Sequence, residues 1–282
     1  MNMYLDLFSG ITENKFLGAL YDLGFDLDKL KKDILKLNLF DELDIKTKNI
    51  TKKKITASYI ELNFDEQEKN MDLDEINSFI ENSSLSTDIK EKAKNIFLTL
   101  AKAEAEVFLK NKNKVNLFTT TLKDIIYLFS ILISLEILDV EKIFASNIHS
   151  GNGYFKSSEG KVPIPLPLTK ELLEDLPHYS KNINSKLNSP LAIAILKNIV
   201  DDFGPRNNMK IIKTAYGAAN KDIEIPNLLR VNLIEYGEKN KKKLFENYYQ
   251  RRNKAEINFK KIGVIRTPYK NNAPFQPPKS EK

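Results

Sequence analysis

Two short stretches of this sequence combine residue types suited to holding a charged ligand: "DLFSG" at residues 6–10 and "HSGNG" at residues 149–153. In each, small residues leave backbone N–H groups able to face an anion, and the first also opens a helix pattern, whose N-terminus favours negative charge. A phosphorylated ligand fits such turns, with Ser9, Gly10, Gly151 and Gly153 as its contacts. Asp6 and Asp124 are the acidic residues nearest the expected helix starts. Carboxylate oxygens suit hard and borderline divalent cations, so both are candidate metal ligands; both could equally cap a helix or accept backbone hydrogen bonds. His149 could serve as ligand or base, although hydrogen bonding within the fold is the commoner role of a lone histidine.

Other chemistries drop out. The chain has no cysteine, hence no disulfide, thiolate ligand or thiol nucleophile. "SGNGYF" lacks the third glycine of a dinucleotide fingerprint and the Gly-Lys-Ser/Thr ending of a P-loop. Neither His149 nor His178 belongs to a two-histidine helical metal motif, and His178, after Pro177, reads as exposed. No residue is identified as catalytic, and spacing alone leaves the reaction open.

The elements that must position these residues are legible from periodicity and caps. "MYLDLFSG" reads as a buried strand and a Ser-Gly turn, followed by a helix from Lys15 to Leu23 that stops at Gly24. Asp26 caps a second helix to about Lys36, and residues 44–64 form two strands around a basic turn, with Lys52 to Lys54 at a wet tip. Ser86 caps a long helix with an apolar stripe, beside which Glu104 reads as a snorkelling surface carboxylate. Residues 123–138 are apolar nearly all round and suit a helix buried between layers, with Thr119, Thr120 and Thr121 as caps. Alternating Pro163, Pro165 and Pro167 set an extended path, Thr169 caps a short helix, and a further helix spans about Pro190 to Phe203. Strands alternating with helices predict a mixed, layered α/β domain.

Charge is unevenly spread along the chain. From Glu238 onward lie 13 of the 44 Lys/Arg residues but only 4 of the 38 Asp/Glu residues, so the tail carries the excess. A basic, poorly ordered end is expected, able to touch RNA weakly. The longest uncharged apolar run, Ile125 to Leu135, is too short to cross a bilayer, and the start has no secretory pattern, which points to a cytoplasmic protein without membrane contact.

"YLDLFSGITENKFLGALYDLG" resembles the opening of the nickel-insertion proteins of nickel pincer cofactor synthesis (LarC type), which read Y-x-D-x-x-S-G-I-S-G-D-M-x-L-G-A-L-x-D-L-G. The resemblance continues through "SGNGYFKSSEGKVPIPLPLTKELL" and ends in "YGAANKDIEIPNLLRVNLIE". It implies insertion of nickel into a pyridinium bisthiocarboxylate mononucleotide, by a lyase-class reaction that forms a metal–carbon bond between two sulfur ligands. It also implies an N-terminal module associated with nickel and a C-terminal module that binds CTP; the CTP module is missing after residue 238, so a separate partner would supply it. Asp6, Ser9, Gly10, Gly151, Gly153 and Arg230 match the family pattern, which makes Arg230 a further ligand contact.

Departures from the pattern share a direction. The family's Gly-Asp-Met is Glu13-Asn14-Lys15 here, and its V-H-F-H-E-V-G-A-V-D stretch is "VNLFTTTLKD", which keeps only Asp124 among the metal-binding types. Glu13 and His149 could stand in as moved ligands. A second reading is therefore a non-catalytic homologue acting as a binding or assembly subunit. A third comes from "IGVIRTPYKNNAPFQPP", which resembles the start of TsaA/TrmO-type tRNA adenosine methyltransferases and makes the chain a fragment of a fusion. The expected domains are 1–238, a basic linker 239–261 and the truncated start 262–282.

Overall fold

The computed structural model describes residues 1–39, 42–64, 72–108, 117, 119–158, 160–205 and 209–236; the expectations for the linker and tail lie outside them. In chain order the elements are β1 (Asn2–Asp6), α1 (Glu13–Leu23), α2 (Leu27–Leu35), β2 (Asp44–Lys52), β3 (Ile55–Asn63), α3 (Leu73–Asn82), α4 (Thr87–Val107) and α5 (Leu122–Ile137). Then follow β4 (Lys142–Ala145), β5 (Ile148–His149), β6 (Tyr154–Ser157), β7 (Gly160–Pro163), α6 (Pro167–Leu173), β8 (His178–Tyr179), α7 (Pro190–Ile199), β9 (Asp202–Phe203), β10 (Met209–Ala218) and β11 (Leu228–Tyr236). Seven strands form one mixed sheet in the order β2-β3-β10-β11-β1-β4-β9, in which β1 pairs parallel with β4 and antiparallel with β11. Among the described residues, seven helices and this sheet make the mixed α/β architecture that the alternating pattern predicts.

Local chemistry explains most boundaries. Gly24 ends α1 in the left-handed region at φ 98°, the Asp26 carboxylate caps α2, and Ser86 caps α4. Thr121 and Asp124 form a reciprocal capping box at the start of α5. Thr121→Ala should therefore lower stability by about 1 kcal/mol, seen as a reduced urea midpoint with an unchanged slope. The apolar circumference of α5 is explained by its neighbours: it packs against α1, α2, α4 and α7. Helix α1 in turn lies between α5 and strands β3, β10 and β11, so it is sandwiched in the core with Phe16, Leu17 and Leu20 fully buried.

Four local expectations are corrected. Glu104 is fully buried, because the hydroxyl of Thr119, in the loop before α5, donates to its carboxylate and offsets the cost of leaving water. Thr169 lies buried inside α6, which starts one residue after Leu166 with Pro167 at its head, where a missing N–H costs nothing. Helix α7 stops at Ile199, since Asp201 exchanges hydrogen bonds with Ile143 and draws the chain into β9 beside β4. Lys52 is buried, not wet: its Nζ donates to the Asn220 carbonyl at 2.9 Å and to Asp222 at 2.6 Å. Among the described residues, no helix is long and apolar enough to cross a membrane.

Candidate functional site

The loop between β1 and α1, residues 7–12, leaves the C-terminal end of β1, an interior strand of the sheet, and meets three distant segments there. Its carbonyl at Leu7 accepts from the N–H groups of both Gly10 (3.0 Å) and His149 (3.3 Å). Asn188 stitches loop and turn together, accepting the Ile11 N–H at 2.8 Å and donating to the His149 carbonyl at 2.9 Å. Gly10, at φ 65°, passes so close that an added Cβ would fall 2.6 Å from the Asn188 side chain. Gly151 and Gly153 do the same against the chain at residues 184–185: a Cβ on Gly151 would lie 2.3 Å from the Ser185 carbonyl. Several N–H groups expected to face an anion are used inside the protein, including Gly10 to Leu7, Asn152 to Ile183 and Tyr154 to Asn184. These glycines act in the structure through close approach.

Asp6, the last residue of β1, is bound by Arg230 of β11, whose Nε donates at 3.0 Å and whose Nη2 reaches the same oxygen. The guanidinium also lies 5.9 Å from the Phe8 ring centre, a cation–aromatic arrangement at the mouth of the loop. Asp124 is spent on Thr121, accepting its N–H at 2.9 Å and its hydroxyl at 2.8 Å. Glu13 is buried and accepts from Ser189 at 2.6 Å; burial pushes its carboxyl above the usual range, the Ser189 bond pulls it back, and the charge of Asp124 pushes it further up. The Asp124 charge therefore reaches Glu13, whereas Asp6 sits with Arg230. Among the described residues, no three His, Cys, Asp or Glu side chains come together as a group able to hold a metal ion.

The centre of the knot is a residue that motif reasoning noted only as a departure. Lys15 is fully buried, and its Nζ donates to the Ser9 carbonyl (2.7 Å), the Asn227 side chain (3.2 Å) and the Leu187 carbonyl (3.3 Å). One ammonium thus ties the β1–α1 loop, the segment before α7 and the segment before β11. Burial pushes it down to about 7, with the Glu13 carboxylate opposing. The signal in the sequence was a lysine in a helix position whose neighbours Phe16 and Leu17 are core. Asn14, next to it, donates to the Tyr127 hydroxyl at 2.8 Å and ties α1 to α5; burial raises that phenol to about 12.

His149 is 1% exposed. Its Nε2 accepts the Lys181 N–H at 3.2 Å, so a neutral ring carries its proton on Nδ1. Neutrality is favoured, because burial first, then the charges of Lys181 and Lys15, lower its basicity. The Tyr179 ring covers it at 4.8 Å between centres. His178, as expected, is exposed.

A cavity of about 410 Å³ lies at the other end of the β1–β4 pair, with Asp88, Glu136, Asp139, Glu141 and Asp201 in its wall. Three of those carboxylates already hold Lys92, the chain's amino group and the Ile143 N–H. It is separate from the knot.

The loop 7–12, the turn 149–153 and Asn227 lie in or beside the stretches that carry the resemblance, whereas Leu187 and Asn188 lie outside them. Pyridinium-3,5-bisthiocarboxylic acid mononucleotide nickel insertion proteins are similar to this chain in Desulfitobacterium hafniense strain DSM 10664 (35% identity, 84% of this chain, 59% of the relative) and Thermotoga petrophila (37%, 81% and 59%). That of Thermotoga sp. strain RQ2 is 36% identical, over 81% of this chain and 60% of its own length. The chain thus spans about three-fifths of the length of these curated relatives. No solved structure matches it. The family model described as "Nickel insertion protein" matches residues 3–265, past the boundary expected at 238, and the chain belongs to that family.

Proposed function

We propose that this chain holds a pyridinium-3,5-bisthiocarboxylic acid mononucleotide at the β1–α1 loop while nickel, the second substrate, is inserted between its sulfur atoms. The observation that carries the reading is the convergence of loop 7–12, turn 149–153 and Asn227 on the single ammonium of Lys15 and on Asn188. Of the positive groups, Lys15 lies buried beneath the loop and Lys181 acts on the His149 ring, while Arg230 is paired with Asp6. The two lysines suit an anionic organic ligand better than a bare cation. Ser9 and Arg230 are its contacts, and Gly10, Gly151 and Gly153 shape the walls. Asp6, Glu13 and Asp124 are the nearest groups able to assist the metal.

A second reading, holding without insertion, is favoured by the engagement of those three groups: Asp6 with Arg230, Asp124 with Thr121 and Glu13 with Ser189. Titration calorimetry of the full chain with the mononucleotide, with and without Ni²⁺, tests both. Binding is expected without nickel, and Arg230→Gln should weaken it by roughly tenfold through loss of a charged hydrogen-bonding fork. No heat in either condition would sink the proposal; nickel recovered in the released ligand selects insertion, and its absence selects holding.

A further inference from the structure

We propose that Ser9 and His149 form a buried subsite for an oxyanion, a phosphate or carboxylate group of the incoming ligand, between the β1–α1 loop and the 149–153 turn. The subsite rests on the ligand-holding function proposed above, and its probes let the two fail separately.

Two side-chain atoms in this knot are buried without a hydrogen-bond partner: Ser9 Oγ and His149 Nδ1. Folded proteins rarely leave such atoms unpaired, because each forfeits the hydrogen bonds it had in water. Both orphans sit on the same small assembly. His149 and Gly10 share the Leu7 carbonyl, Asn188 bridges Ile11 to His149, and the Lys15 ammonium holds the carbonyl of Ser9 itself. Helix α1, 11 residues long, begins four residues after Ser9, and its Thr12 makes no side-chain capping bond, so the helix end adds its own partial positive charge.

The polarity of the orphans selects the ligand. With Nε2 accepting the Lys181 N–H, the His149 ring presents an N–H at Nδ1. A serine hydroxyl is a second donor. Lys15 and Lys181 are the charges that act on the ring, both positive. Two donors in a positive field complement an anionic oxygen. A cation at Nδ1 would instead need the ring proton on Nε2, where it would point at the Lys181 N–H. Tyr179, half-buried over the ring, is the side chain that an entering group displaces.

The test uses the full chain with ¹⁵N-labelled histidine and no nickel, titrated with inorganic phosphate, nicotinate and nicotinic acid mononucleotide. Long-range proton–nitrogen spectra are expected to show His149 protonated at Nδ1, with that nitrogen moving to saturation. Response to phosphate or to nicotinate tells which oxyanion is received. Ser9→Ala should weaken the responding probe by about tenfold while leaving the ligand-free protein as stable as before, since its hydroxyl has no partner to lose. The exposed His178 signal serves as the unmoved reference. If no probe shifts His149, or Ser9→Ala destabilises the free protein, the pair is satisfied by water and the subsite is overturned. Selective broadening of His149 by Ni²⁺ alone would overturn it too, by making the ring a metal ligand. Phosphate binding without any binding of the pincer ligand would keep the subsite and sink the ligand-holding function.

Discussion

Gly217→Ala is expected to destabilise the fold by about 3 kcal/mol or more, the upper end of what inserting carbon into a packed interior costs. The added Cβ would lie 1.8 Å from the carbonyl oxygen of Lys15 and 2.4 Å from the nitrogen of Ala19. Both are backbone atoms of α1, so no side chain can swing aside. Gly217 faces the helix from β10, where it pairs with Leu229 on one side and Ser58 on the other, and a shift would disturb both ladders. Gly18 makes the reciprocal approach from α1, with a Cβ only 2.5 Å from the Ser58 carbonyl. Glycine is thus needed on both surfaces for the helix to lie this close to the sheet. Gly160→Ala is the control: it meets nothing within 4 Å and bears only the cost of a positive φ, about 1 kcal/mol. Urea unfolding decides the matter, and a Gly217→Ala midpoint within error of the parent would mean that α1 does not rest on β10. Ligand affinity should fall along with stability, because α1 carries Glu13 and Lys15 into the site.

Lys15→Met should abolish a pH dependence of stability that the parent shows above neutrality. In the folded chain burial brings the ammonium down to about 7, against an ordinary value of 10.5. Between those two values the unfolded chain binds a proton that the folded chain does not, so stability rises with pH, by about 1.4 kcal/mol per unit. Below pH 7 both states are protonated and this slope vanishes. Glu13 works at the acid end with the opposite sign. Burial raises its folded value above 4.5, so its contribution is present below 4.5 and is lost as pH rises through the folded value. Both groups are pressed toward neutrality by the same burial. Methionine, the residue type at this position in the family pattern, removes the titration but leaves the oxygens of Ser9, Leu187 and Asn227 without a donor. The absolute change in stability therefore mixes two effects, whereas the slope isolates one. Denaturant unfolding at pH 7, 8 and 9 should show the parent gaining about 2 kcal/mol that the variant does not; parallel slopes would refute the buried titration.

Much of this protein was determined by sequence alone, and it was the local part. Helix ends follow from residues a few positions apart: Gly24 can enter the left-handed region, the Asp26 and Ser86 side chains reach the N–H groups just after them, and α5 announces its burial by having no polar face. Glycines and prolines around residues 151–167 marked a shaped segment, and the same residues carried the likeness to the nickel-insertion family. What lay beyond local pattern was decided by contacts across the chain. A lysine reads as a surface residue until three oxygens surround it, and two of the three belong to residues 172 and 212 positions away. Arg230 meets Asp6 over a separation of 224, and Asn188 joins Ile11 to His149 from a loop that no motif singled out. Thr169 looked like a cap until Pro167 took the head of its helix, and Glu104 looked exposed until the fold buried it with the Thr119 hydroxyl as a donor. Caps and periodicity are set by energies among near neighbours; burial of a charged group depends on which distant oxygens the folded backbone brings within hydrogen-bonding reach, and only the assembled sheet and helices decide that.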